Sequence, residues 1–129
     1  MKRVVIHSGP GKTGTSAIQF WLNNNRSKLR DNSVYYPKHT TDTNGVSSGN
    51  IQAVLSQNNE GVWDVDAVKV EQLLKDFNQS ECDVLLLSSE FFFYKIGHFV
   101  EKVNSCISTV NSMIFIRIDS QIKLLISLY

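Results

Sequence analysis

Short runs of aliphatic residues alternate along this chain with longer stretches in which apolar residues recur every three or four positions. The runs are typical of buried strands, and the recurring pattern is typical of amphipathic helices. The predicted strands lie near residues 3–8, 33–36, 84–88 and 112–118. Strands that alternate with helices predict an α/β fold in three layers, in which helices cover both faces of a parallel sheet.

The first helix is predicted from Thr15 to about Leu29, with Ile18, Trp21, Leu22 and Leu29 on the face that packs on the sheet. Trp21 is therefore expected in the core.

A second helix is expected after Asp64 or Asp66, either of which could cap it. Its apolar face is formed by Val70, Leu73, Leu74 and Phe77. Further helices are predicted around residues 99–107 and 120–129. Between the first two helices, residues 38–61 are mostly polar, and we expect there a long loop with His39 exposed to solvent.

The most informative stretch is Ser-Gly-Pro-Gly-Lys-Thr-Gly-Thr-Ser, residues 8–16, which lies between the first strand and the first helix. Free backbone N–H groups and the positive end of the helix dipole favour anions at such a turn. Glycines allow close approach of the backbone, Lys12 adds a positive charge, and Thr13, Thr15 and Ser16 add hydroxyl donors. The alternative is a tight turn with a threonine cap.

A nucleotide-binding Walker A loop is one candidate for this anion site, since Gly11-Lys12-Thr13 matches its end. That loop requires its first glycine at position 6, where this chain has Ile6. Residues 7–19, His-Ser-Gly-Pro-Gly-Lys-Thr-Gly-Thr-Ser-Ala-Ile-Gln, fit another pattern. They resemble the 5′-phosphosulfate loop of the sulfotransferases, G-P-x-K-T-G-T-[TS]-x-x-Q, in its bacterial form.

This resemblance implies a donor site for 3′-phosphoadenosine 5′-phosphosulfate (PAPS) and transfer of its sulfuryl group to a hydroxyl or amine of a carbohydrate or small metabolite, without a metal. The implied donor-binding residues are Gly11, Lys12, Thr13, Gly14, Thr15 and Ser16. The Tyr-Pro at residues 36–37 extends the match, because similar sulfotransferases have a segment ending in Tyr-Pro after this helix.

Two further strand ends carry candidate site residues. Glu90 follows the apolar run that ends at Ser88, and ligands of open α/β sheets bind at the carboxyl ends of strands. We therefore expect Glu90, or as an alternative His39, to accept the acceptor's proton, although Glu90 could instead cap a helix or form a salt bridge. Similar sulfotransferases also carry Ser-Ser-Glu after the corresponding strand.

Arg117 ends the last predicted strand, where its guanidinium could bind an anion or pair with a carboxylate. By resemblance, Arg117 and Ser127 match the residues that hold the 3′-phosphate of the donor. The gap between them is slightly longer than the usual pattern, and a gapless alignment on Ser127 places Asp119 at the arginine position.

Composition narrows the alternatives. The chain has 129 residues, 42% of them hydrophobic, and a net charge of +1, so we expect one globular domain and no bulk nucleic-acid binding. Its two cysteines, Cys82 and Cys106, have no metal-ligand spacing, which favours a reducing cytoplasm and no metal site. No stretch is long and apolar enough to predict a membrane span.

The resemblance covers only the front part of the sulfotransferase fold, so residues 1–129 are expected to form a partial domain, truncated at its C-terminal side. Three functions remain open on the sequence: a sulfotransferase, a nucleotide-binding protein or kinase with a phosphate-binding loop, and an inactive sulfotransferase fragment. Magnesium dependence separates the first two, because phosphoryl transfer requires the ion.

Overall fold

A computed structural model of the chain describes residues 2–8, 15–40, 49–106 and 114–119. Within these ranges, only the backbone is described at residues 15–16, 93–95, 104–106 and 114–119. The strands are β1 (Arg3–Ser8), β2 (Val34–Tyr35), β3 (Leu55–Gln57), β4 (Trp63–Val65), β5 (Val84–Ser88) and β6 (Ile114–Asp119). The helices are α1 (Thr15–Asn24), α2 (Arg26–Asp31), a 3-10 helix (Asn50–Ala53), α3 (Ala67–Gln79) and α4 (Phe91–Cys106).

Four strands form a parallel sheet in the order β2-β5-β1-β6. The predicted α/β class and all four predicted strands of this sheet are thus confirmed. β1 lies in the interior of the sheet, with β5 and β6 as its neighbours. This position explains the continuous apolar run of β1, because both faces of an interior parallel strand are covered.

The core is one cluster in which the sheet, α3, α4 and the segment between β2 and α3 meet. From the sheet it contains Val4, Ile6, Leu85 and Leu87, and from the helices Val70, Leu73, Leu74, Phe77, Phe92, Phe99 and Val103. The predicted apolar face of α3 is therefore confirmed. The carboxylate of Asp66 accepts hydrogen bonds from the amides of Val68 and Lys69, so it caps the start of α3 as predicted.

The single helix predicted from Thr15 to Leu29 is instead two helices that meet at Asn25. The side-chain amide of Asn25 donates to the carbonyl of Trp21 at 2.7 Å, and such local bonds compete with the helical ladder. The prediction that Trp21 is in the core is also wrong, since it is 51% exposed. The buried positions of α1 are Gln19 and Leu22, because Gln19 finds polar partners inside the molecule.

The polar stretch after β2 contains more structure than its composition predicts. The 3-10 helix Asn50–Ala53 lies within this stretch. The β3–β4 hairpin was missed because each strand has three residues and too little alternation to be detected. Leu55 and Val65 face each other across the hairpin and belong to the core.

Candidate functional site

The carboxyl ends of β1, β5 and β6 lie side by side at one edge of the sheet. His7 of β1 is in register with Ser88 of β5 and with Ile118 of β6. The chain leaves β1 at Ser8 and enters α1 at Thr15, so the Gly-Lys-Thr stretch connects an interior strand to a helix. This is the context in which a glycine-rich loop binds an anion.

Most of the donor-binding residues predicted from the sequence lie outside the described residues. These are Gly11, Lys12, Thr13, Gly14 and Ser127. Thr15 and Ser16 form the first turn of α1, of which the backbone alone is described. Their role in binding a phosphate therefore stays a prediction.

The other two predicted site residues follow, or lie in, strands at the same edge. Glu90 stands two residues after the end of β5 and is exposed, immediately before α4. Arg117 is in register with Ile6, and β6 continues past it to Asp119. The backbone thus brings both residues to strands that flank β1.

A buried cluster of polar side chains joins the ends of β1 and β5 to α1. Nδ1 of His7 lies 2.7 Å from Oγ of Ser88, and Nε2 of Gln19 donates to the same oxygen at 3.1 Å. Gln19 and Ser88 are almost completely buried, and His7 is only 8% exposed. His7 is thus a buried residue with a hydrogen-bonded side chain.

The cluster has the composition of a serine–histidine pair, but its burial argues against nucleophilic catalysis. A nucleophile must reach its substrate, and Ser88 has no exposed surface. Among the described residues, no buried side-chain nitrogen or oxygen lacks a hydrogen-bond partner. The cluster is better suited to a structural role. A buried hydrogen-bond network in which every group has a partner holds the elements that it connects in fixed relative positions.

Asn50 closes the outer edge of β5 beyond the short strand β2. β2 pairs with β5 only as far as Leu85. Further along, the Asn50 side chain donates to the carbonyl of Leu86 at 3.0 Å and accepts from the amide of Ser88 at 2.8 Å. One carboxamide thus replaces a neighbouring strand.

The residue before it, Gly49, has φ of +81°, and a Cβ built there would lie 1.8 Å from the carbonyl oxygen of Ser88. Only glycine allows the chain to pass so close to the strand end.

The prediction that His39 is a solvent-exposed loop residue is wrong, because it is only 4% exposed. Its Nε2 lies 2.9 Å from the hydroxyl of Tyr36, and the side chain of Asn23 bonds both its amide and its carbonyl. Burial lowers the pKa of the His39 imidazole, so the neutral ring is favoured. The buried position of His39 does not support its alternative role as the base that takes the acceptor's proton.

The chain was compared with protein-family models, with curated proteins and with solved structures. No match was found in any of the three comparisons.

Neither a membrane-spanning helix nor a metal-binding group is present in the part of the chain that the structure describes. None of the described helices is long and apolar enough to cross a membrane. Within residues 2–8, 15–40, 49–106 and 114–119, no three His, Cys, Asp or Glu side chains form a group that could hold a metal ion.

The sequence did not single out the residues that make the buried cluster. Gln19 is the last residue of the motif that resembles the phosphosulfate loop, and this was the available signal for its importance. Ser88 ends a strand run, which is weak evidence by itself. No sequence pattern indicated a role for Asn50, because its partners Leu86 and Ser88 are far from it in the sequence.

Proposed function

We propose that this chain is a PAPS-dependent sulfotransferase whose donor site is the loop between β1 and α1. The observation that carries the proposal is the setting of the Gly-Pro-Gly-Lys-Thr-Gly sequence. It connects an interior strand of a parallel sheet directly to a helix N-terminus. A phosphate-binding loop needs this setting, since the helix supplies free amides and a positive dipole end.

The order of the strands supports a ligand site at the same edge. From β1 the chain continues to β2 on one side of the sheet, whereas from β5 it crosses to β6 on the other side. The two connections thus run in opposite directions along the sheet, and α/β proteins bind ligands outside the carboxyl ends of neighbouring strands at which the direction reverses. In the sequence, the loop follows the carboxyl end of β1, and Glu90 follows that of β5.

In the proposed reaction, an oxygen or nitrogen of the acceptor attacks the sulfur of PAPS in line with the bond to the phosphate oxygen. The new bond to sulfur forms, the old one breaks, and the electron pair remains on the phosphate of the product, 3′-phosphoadenosine 5′-phosphate (PAP). Lys12 and the backbone amides of residues 11–16 would stabilise this charge. Glu90 would take the acceptor's proton, and its exposure suits contact with an acceptor.

The 3′-phosphate of the donor would be held by Arg117 and Ser127. Their assignment rests on the resemblance and on the position of β6 next to β1. The acceptor class, a hydroxyl or amine of a carbohydrate or small metabolite, is also carried over from the resemblance.

One observation disfavours a Walker A nucleotide site. That loop requires a glycine at position 6, and Ile6 is a 1% exposed residue in the middle of β1, paired with Leu87 and Arg117. Position 6 therefore belongs to the strand and not to the loop.

The test is calorimetric titration of the chain with PAP without magnesium, beside ATP with magnesium. We expect PAP to bind and the binding to weaken by at least about tenfold in Lys12→Ala, because a charge-assisted contact to phosphate is lost. Lys28→Ala is the matched control, since Lys28 is exposed on α2. Preference for ATP with magnesium, or equal PAP affinity of both variants, would overturn the proposal.

A further inference from the structure

We propose that Gln19 and Ser88 are positioning residues, whose hydrogen bond sets the place of α1 against the end of β5. This inference rests on the proposed function, in which α1 begins at the donor phosphate and β5 leads to the proton acceptor Glu90. The bond would then fix the spacing between the two halves of the site.

Among the side chains described at the start of α1, few apolar groups are buried against the rest of the molecule. Ala17, Phe20 and Trp21 are exposed, and Ile18 is half-buried. Of the side chains described on α1, those of Gln19 and Leu22 are buried. Gln19 is the nearer of the two to the donor loop, so the position of the first turn depends on a polar contact.

A hydrogen bond restrains a helix in a way that apolar packing does not. Apolar contact is non-directional, whereas the Gln19 amide must meet the Ser88 oxygen at a set distance and angle. Burying a glutamine also costs desolvation of its amide and more side-chain entropy than burying a leucine. The glutamine at this buried position is therefore better explained by the direction that its hydrogen bond imposes on α1 than by a gain in the free energy of unfolding.

Ser88 provides a fixed reference for this bond. Its amide is held by Oδ1 of Asn50, its carbonyl lies against Gly49, and its hydroxyl also contacts His7. Since Glu90 follows only two residues later, a displacement of Ser88 would move the carboxylate as well. The Gln19–Ser88 contact therefore connects the donor side of the proposed site to the acceptor side.

The experiment is a double-mutant cycle with Gln19→Leu, Ser88→Ala and the double variant, read by PAP affinity in calorimetry. We expect each single change to weaken PAP binding by about tenfold, and the double change by about the same factor, because both remove one shared interaction. A product of the two single effects, about a hundredfold, would contradict the proposed coupling. Unchanged affinity in both single variants would also overturn it.

A control separates positioning from general stability. Ser56→Ala removes a hydroxyl that is only partly buried and that donates to the carboxylate of Asp66 at 2.8 Å in the β3–α3 region. We expect this variant to unfold at lower urea concentration while PAP affinity stays within about twofold. Weakening of PAP binding by Ser56→Ala as strong as that by Ser88→Ala would mean that lost stability explains both effects.

Amide hydrogen exchange tests the inference even if the chain does not bind PAP, an outcome that would remove the proposed function alone. In Gln19→Leu, we expect faster exchange in α1 and at the end of β5, with exchange in α3 unchanged. Equal acceleration in all helices, or no change in α1, would overturn the positioning role. Local acceleration confined to α1 and the β5 end would support it.

Discussion

Gly49 and Gly61 both have a positive φ, but Gly49 also has a ψ of −165°, a combination that essentially only glycine adopts, and the surroundings of the two residues differ. Their φ angles are +81° and +78°, which side chains rarely adopt. A Cβ at Gly49 would collide with the backbone of Ser88, whereas a Cβ at Gly61 would meet nothing within 4 Å. The two positions therefore differ in how closely the main chain approaches its neighbours.

We expect Gly61→Ala to lower the free energy of unfolding by about 1 kcal/mol, the cost of the left-handed conformation. Gly49→Ala should cost about 2–4 kcal/mol, because the main chain must also move away from the strand end. Urea denaturation of both variants measures the difference. Equal losses would mean that residues 49–50 shift away from β5 at no cost.

The residue-level predictions failed where a polar side chain had partners inside the molecule. Hydrophobic periodicity assigned Trp21 to the core, and the polar composition of residues 38–61 assigned His39 to the solvent. Both assignments are reversed in the structure. Gln19 and His39 are buried because Ser88 and Tyr36 satisfy them. Gln19 and Ser88 belong to different elements, and the main chain of His39 is also bonded by Asn23 of α1, so no local pattern contains this information.

At the level of elements, the sheet could be predicted and the β3–β4 hairpin could not. β1 and β5 contain continuous apolar runs, because interior parallel strands are buried on both faces. The helix α3 combines an apolar face with a capping aspartate, two signals that agree. The hairpin strands have three residues each, which is too short for a period of two to be recognised.

Asn50 substitutes for a strand at the outer edge of β5, and this gives a prediction for that edge. In Asn50→Leu, the Ser88 amide and the Leu86 carbonyl lose their partner while the side-chain volume is kept. We expect a loss of about 2–4 kcal/mol in the free energy of unfolding, because two buried backbone groups are left unpaired. Urea denaturation measures the loss.

Gln52→Leu is the matched control for this change, since Gln52 lies in the same 3-10 helix but is exposed. It should change the free energy of unfolding by no more than about 0.5 kcal/mol. A comparable loss in the two variants would show that the Asn50 hydrogen bonds do not hold the edge.

For the whole molecule, the sheet and the hairpin share one hydrophobic core. Leu55 and Val65 of the hairpin belong to the same cluster as Val4 and Leu87 of the sheet. Elements that share a core lose their packing together, so unfolding should be a single cooperative transition. The candidate site spans this unit, since Asn50 precedes the hairpin and contacts β5.

The two tryptophans of the chain allow a test of this cooperativity. Trp21 on α1 and Trp63 on β4 are both about half exposed, so replacing either by Phe should cost little. We expect the fluorescence transition of Trp21→Phe, which reports the hairpin, to coincide with that of Trp63→Phe, which reports α1. A hairpin transition at clearly lower urea concentration would indicate a separate unit.

The interior position of β1 has a consequence for how the protein is made. Arg3 pairs with Val84 on one side and with Ile114 on the other. β1 can therefore pair with both neighbours only after the ribosome has also synthesised β5 and β6. Contacts between such distant residues slow folding, and an unpaired apolar strand can associate with other chains while it waits. Yield of the protein in cells should therefore depend on temperature and on chaperones that hold nascent chains.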